Sequence, residues 1–160
     1  MKLKFLAGLV CLFVTVLAVT SCEKDKAVLA SGSCTFTFGG TAYSANSSYG
    51  YVVDTTSALG KKALIVESVT GSLTSHLAIT VFFPDTLIVG DYTEKNGAFV
   101  LFSPYLSSDS ASFLSTTTTI KITSINSKYA EGTFVGNLNN GDTEKPLTDG
   151  KFKVNISKEN

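Results

Sequence analysis

Few side chains in this sequence could do chemistry. The chain has one histidine, three cysteines and neither arginine nor tryptophan. His76 is the base that any Ser/His/Asp triad would have to use. No Gly-x-Ser-x-Gly elbow is present to hold a nucleophile for it. Its place between Ser75 and an apolar stretch suits a polar residue at the end of a strand. There is no His-Glu-x-x-His pair and no Cys/His cluster with zinc spacing. Asp85, Asp91 and Glu94 are neighbours in sequence, but glycoside hydrolysis needs carboxylates converging within roughly 5–10 Å. These three fit the solvated edge and turns of a strand. Residues 137–142 (NLNNGD) are rich in oxygen, yet a twelve-residue calcium loop needs acids at its first positions and a bidentate Glu at its last. Asn140-Gly141 accounts for that segment as a hairpin turn. The expectation is a protein that is not an enzyme, with no cofactor and no metal.

What remains is contact chemistry. Tyr43, Tyr49, Tyr51, Tyr92 and Tyr105 are candidate stacking platforms. Tyr49 and Tyr51, two residues apart, would share one strand face. They are the first candidates for ligand contact, a glycan being the natural partner for exposed aromatic rings. The competing reading has these tyrosines capping the core edge. A nucleic-acid partner is excluded by composition: 13 lysines balance 13 acidic residues, and no arginine is present for bidentate phosphate contacts. Cys34 opens the alternating run Cys34-Thr35-Phe36-Thr37-Phe38. With no His or Lys beside it, it reads as a small buried hydrophobe and not as a reactive thiol.

The N-terminus carries an export signal. Lys2 and Lys4 precede an apolar run of 15 residues, from Phe5 to Val19, which is short of the roughly 20 that span a bilayer. Val19-Thr20-Ser21-Cys22 resembles the lipobox of bacterial lipoproteins. The resemblance implies cleavage before Cys22 and a diacylglyceryl group on its sulfur, with the membrane as partner. Two or more acyl chains anchor stably, at about 0.8 kcal/mol per buried CH₂. The division expected is residues 1–21 as lipoprotein signal peptide, 22–33 as lipidated tether and 34–160 as a single domain. The charged Glu23-Lys24-Asp25-Lys26 resembles the start of Bacteroidetes-type lipoproteins. That likeness implies an exported protein on the outer membrane, facing the surface or the periplasm.

The elements that would position these residues are strands. Residues 34–38 and 41–45 alternate about Gly39-Gly40, a two-residue turn signal. Residues 49–53, 63–69 and 77–83 follow. In the last of these Leu77, Ile79, Val81 and Phe83 share a face and Ala78, Thr80 and Phe82 occupy the other, as in a central strand covered on both sides. Residues 86–92 and 98–102 are expected to form a hairpin about Asn96-Gly97, and 103–117 a long connection. Alternation returns at 120–123, at 133–138 with Gly136 a bulge or close-approach point, and at 151–156. No window outside the signal has a helical period. The fold expected is all-β: an antiparallel β-sandwich or flattened barrel of about 9–10 strands, with sandwich and hollow barrel left open.

The segments FTFGGTAYSA, VGDYT, YAEGTFVGNL and LTDGKFKVNIS occur in that order. Together they resemble a group of Bacteroidetes lipoproteins classed as a domain of unknown function (number 6252). In that group a Gly-Thr-Phe strand, here Gly132-Thr133-Phe134, precedes an Asp/Asn-Gly-Lys-Phe strand, here Asp149 to Phe152. The resemblance implies a fold and no activity. Asp54-Thr55-Thr56, Asp85-Thr86-Leu87 and Asp109-Ser110-Ala111 also match the pattern of Bacteroidetes-type O-glycosylation, implying glycans on Thr55, Thr86 and Ser110; the same pairs are ordinary turn formers. The function expected is a membrane-anchored binding or interaction module, with a glycan or an envelope protein as its partner. The alternatives are a structural or accessory subunit of a fimbria-like envelope assembly and a lipocalin-like barrel holding an apolar ligand.

Overall fold

The computed structural model describes residues 32–70, 73–105 and 112–157. Cys22 and Ser110 lie outside these, as do the expected signal peptide and most of the expected tether. Ten strands are present: β1 (Gly32–Phe38), β2 (Thr41–Ala45), β3 (Ser47–Asp54), β4 (Lys62–Val69), β5 (His76–Phe83), β6 (Gly90–Thr93), β7 (Ala98–Ser103), β8 (Phe113–Ile125), β9 (Tyr129–Asn139) and β10 (Glu144–Ser157). One helical turn, α1 (Thr56–Leu59), joins β3 to β4.

The sheet closes into an eight-stranded barrel with two further strands. Antiparallel ladders run from β3 through β4, β5, β7, β8 and β9 to β10, and β10 pairs with β1. The circle closes where β3 meets β1 at the single pair Gly32–Ser47 and runs parallel to β10 through Ile156–Gly50 and Ser157–Tyr51. Strand direction dictates this. Six antiparallel steps along the ladders from β3 to β10 leave those two strands running the same way, and only Asn46 separates β2 from β3. Closure removes the sheet edges that an open sheet would expose.

Two-residue alternation fills the inside. Phe36, Phe38, Phe102 and Phe134 are buried and their rings meet edge-on or tilted at 4.9–6.1 Å. Among the described residues these side chains form one buried cluster inside the barrel, a filling that about eight strands allow.

Four expectations need correction. Strand β6 covers Gly90–Thr93 and not the expected 86–92, because Leu87 turns inward while Ile88 and Val89 both face solvent, which breaks the alternation. It forms no hairpin with β7 and pairs instead with β8. Asn96-Gly97 closes a 3₁₀ turn in which Asn96 Oδ1 accepts from Thr93 N at 2.6 Å and Gly97 takes φ 89°. The long connection is shorter than expected, since β8 already begins at Phe113. Strand β5 is not covered by a second layer among the described residues. On the outer face of the barrel wall Thr80 is buried among its neighbours, while Ala78 and Phe82 are half-buried.

Candidate functional site

Tyr49 and Tyr51 occupy the outer face of β3, as their spacing implies. Their rings lie side by side, centroids 5.9 Å apart and planes within 20°. Tyr49 is 40% exposed and Tyr51 half-buried. Across the ladder Tyr49 pairs with Glu67 of β4, and Glu67 with Ala78 of β5. The Tyr51 hydroxyl donates to Glu67 Oε1 at 3.4 Å, and Glu67 Oε2 pairs with His76 Nε2. That contact holds the His76 pKa above its ordinary value; partial burial opposes the shift without cancelling it. The wall therefore presents two rings, a carboxylate and an imidazole as one group. The two rings were legible from spacing. Glu67 was missed, because its closeness to Tyr49 and His76 depends on strand register, and nothing local in the sequence reports register.

Beside this group the wall turns apolar. Ile65, Phe82, Phe99 and Leu101 are half-buried, and the Phe82 and Phe99 rings lie 6.1 Å apart.

The other chemistry-bearing residues are placed apart. Tyr43 stacks on Phe36 at 5.1 Å and Tyr105 stands exposed, both near Lys145, whose Nζ sits over the Phe38 and Phe113 rings. The Tyr92 hydroxyl donates to Ile88 O and accepts from Ile88 N, so it pins the loop before β6. Glu94 accepts from Thr118 N at 3.1 Å, which draws its carboxyl below the usual range and makes it a brace for β8. Asn140 Oδ1 accepts from Asp142 N and Thr143 N, so the oxygen-rich segment spends this oxygen on its own turn. Among the described residues no three His, Cys, Asp or Glu side chains converge as a metal site would require.

Cys34 is buried inside the barrel, and burial pushes its thiol up to about 12. Ser68 stands close enough to temper that shift, although among the described residues Ser48 Oγ and Ser68 Oγ meet no hydrogen-bond partner. Of the expected glycosylation sites, Thr86 is exposed on the loop between β5 and β6. Thr55 immediately precedes α1 and donates through Oγ1 to Lys61 O at 2.6 Å.

Comparison with family models, curated proteins and solved structures gives no match for this chain.

Proposed function

We propose that this protein is a lipid-anchored binding module of the bacterial envelope, whose barrel offers the Tyr49–Tyr51 platform to a saccharide. The observation that carries the reading is the paired ring geometry beside Glu67 and His76. Sugars present C–H faces that pack on aromatic rings and hydroxyls that pair with carboxylate and imidazole groups. A rigid barrel holds these groups in place before the ligand arrives, which cuts the entropic cost of binding. Anchoring rests on the lipobox-like sequence ending at Cys22, and the location is the outer membrane.

The test is a glycan array followed by titration with the full chain in detergent micelles. Wild type is expected to bind at least one polysaccharide class. Tyr49→Ala and Tyr51→Ala should each weaken that binding about tenfold, which corresponds to about 1.4 kcal/mol. Absence of any bound glycan, or binding by both variants equal to that of wild type, overturns the reading. Intact mass of the mature N-terminus tests the anchor separately.

A second reading, an accessory subunit of an envelope assembly, draws on the apolar wall around Ile65, Phe82, Phe99 and Leu101. Crosslinking in native membranes that joins this wall to another envelope protein would favour it over saccharide binding.

A further inference from the structure

At one end of the barrel a cleft of about 590 Å³ opens between the loops that follow β3, β5 and β8. Its lining is apolar at depth, from Val52, Phe83, Leu87, Ile125 and Ile156. Phe83 and Leu87 belong to the buried core, while the other three pack on that core and remain partly open. Polar groups stand at the mouth: Lys62, Asp85, Thr86, Asn126 and Ser127. A cleft of this size, with an apolar interior and a few polar groups, has the form of a small-molecule site.

The rim chemistry narrows the ligand. Lys62 at the start of β4, with Lys61 and Lys128 on the loops, stands against Asp54 at the end of β3 and Asp85 on the loop after β5. The Asp54 carboxylate is engaged by the Thr56 hydroxyl and N–H, which hold it below its usual range with a smaller contribution from the charge of Lys62, its partner across the β3–β4 ladder. The two ion pairs among the described residues, His76–Glu67 and Lys153–Glu131, leave Lys62 out. Placement narrows it further. Leu59, Ile88 and Val89, on the same loops as Lys62 and Leu87, are more than half exposed. The domain's first described residue, Gly32, pairs with Val154, three residues before the cleft residue Ser157, which is about 10 Å along a strand. Cys22 precedes Gly32 by ten residues, a reach of at most about 36 Å. If the chain is anchored there, a premise taken from the proposed function, this end lies within reach of the bilayer surface.

We propose that the barrel-end cleft binds the acyl chain of an anionic amphiphile, with the tail on Phe83, Leu87, Ile125 and Ile156 and the head group at Lys62. The chain would arrive either as a free fatty acid or as a bilayer lipid.

The test uses the full chain in phosphatidylcholine nanodiscs with two photoreactive probes, diazirine-palmitate and phosphatidylglycerol bearing the same diazirine chain. Expected labelling falls on peptides containing residues 83–87 and 125–127. Ser127→Trp, an exposed position that would plug the mouth, should reduce it at least fivefold, as should Ile125→Glu. Tyr49→Ala should leave it unchanged. Unlabelled palmitate should compete several-fold better than hexadecanol, and Lys62→Gln should remove that preference. Labelling by palmitate alone identifies a free fatty acid as the source, and labelling by both probes a membrane lipid. Labelling that ignores Ser127→Trp and Ile125→Glu, or that maps to the chain's own N-terminal segment or the outer wall, overturns the proposal. Labelling by neither probe does the same. Palmitate labelling that persists in a protein shown by intact mass to lack lipid on Cys22 would sink the anchor and keep the cleft. Loss of glycan binding in Tyr49→Ala bears only on the wall.

Discussion

Phe152 of β10 stands directly across the ladder from Gly132 of β9, and two residues away Phe134 stands across from Gly150. Each ring folds over the opposing glycine. A Cβ on Gly132 would lie 2.7 Å from the Phe152 ring, and one on Gly150 would lie 2.5 Å from the Phe134 ring. The sequence segments Gly-Thr-Phe and Gly-Lys-Phe are thus two halves of one reciprocal pair. Gly132→Ala is expected to cost about 1–3 kcal/mol, the usual range for overpacking a well-filled core. Urea unfolding would measure it. Phe152→Leu in the Gly132→Ala background should recover part of the loss. Full recovery is not expected, because Lys121 O also lies 2.5 Å from the new methyl.

Such pairings show what the sequence could and could not reveal. The β1–β2 hairpin was readable because Gly39-Gly40 interrupts a clean alternation, and both glycines do take positive φ. Strand β10 was readable because Phe152 and Val154 alternate with Lys151 and Lys153. The start of β8 was not, since residues 115–119 are all Ser or Thr and give no apolar contrast between inside and outside. A register shift between Ser115 and Thr117 also changes the parity there, and Thr118 goes inside by donating Oγ1 to Val135 O. For the site, spacing within one strand exposed the tyrosine pair. The Glu67–His76 contact joins residues nine apart across β4 and β5, and the barrel-end cleft gathers three loops. Both arise from closure, which leaves no mark on any single segment.

Cys34 should be inert in the folded protein. With its thiol pushed up to about 12, only about one molecule in ten thousand carries the thiolate at pH 8, and the barrel wall blocks access. Ellman's reagent is expected to show no reaction at this residue in native protein and full reaction in urea, each in a chain whose Cys22 is blocked by lipid or replaced by Ser. Reaction within minutes under native conditions would show that the barrel opens readily.

The Glu67–His76 contact makes stability depend on pH in a defined direction. The folded pKa of His76 is raised, so the folded protein holds this proton more tightly than the unfolded chain does. The contribution is complete below the unfolded value near 6.5 and is lost as pH rises through the folded value. Melting temperature should therefore fall as pH rises from 6.5 into the alkaline range. His76→Gln should flatten that slope and leave the rest of the profile in place. A slope unchanged in the variant would assign the pH dependence to other groups. Since Glu67 also borders Tyr49 and Tyr51, saccharide affinity should weaken over the same interval.

The two described glycosylation sites should behave differently. Thr86 is exposed, and its hydroxyl can receive a sugar without losing any hydrogen bond shown for it. Thr55 must first release Lys61 O, a 2.6 Å bond that closes the turn between β3 and β4, and its side chain is only half exposed. A transferase acting on the folded domain would then modify Thr86 far more completely than Thr55. Modification before folding would treat the two alike, because both follow an aspartate in the same local pattern. Peptide mass spectrometry of protein from native membranes separates these cases through site occupancy. High occupancy at Thr86 with little at Thr55 is the expected result, while equal occupancy would place glycosylation before folding. Unmodified peptides at both sites would remove the glycosylation proposal for these residues. A glycan on Thr86 would also stand at the mouth of the barrel-end cleft, so acyl-chain labelling there should be stronger in Thr86→Ala protein than in the glycosylated form.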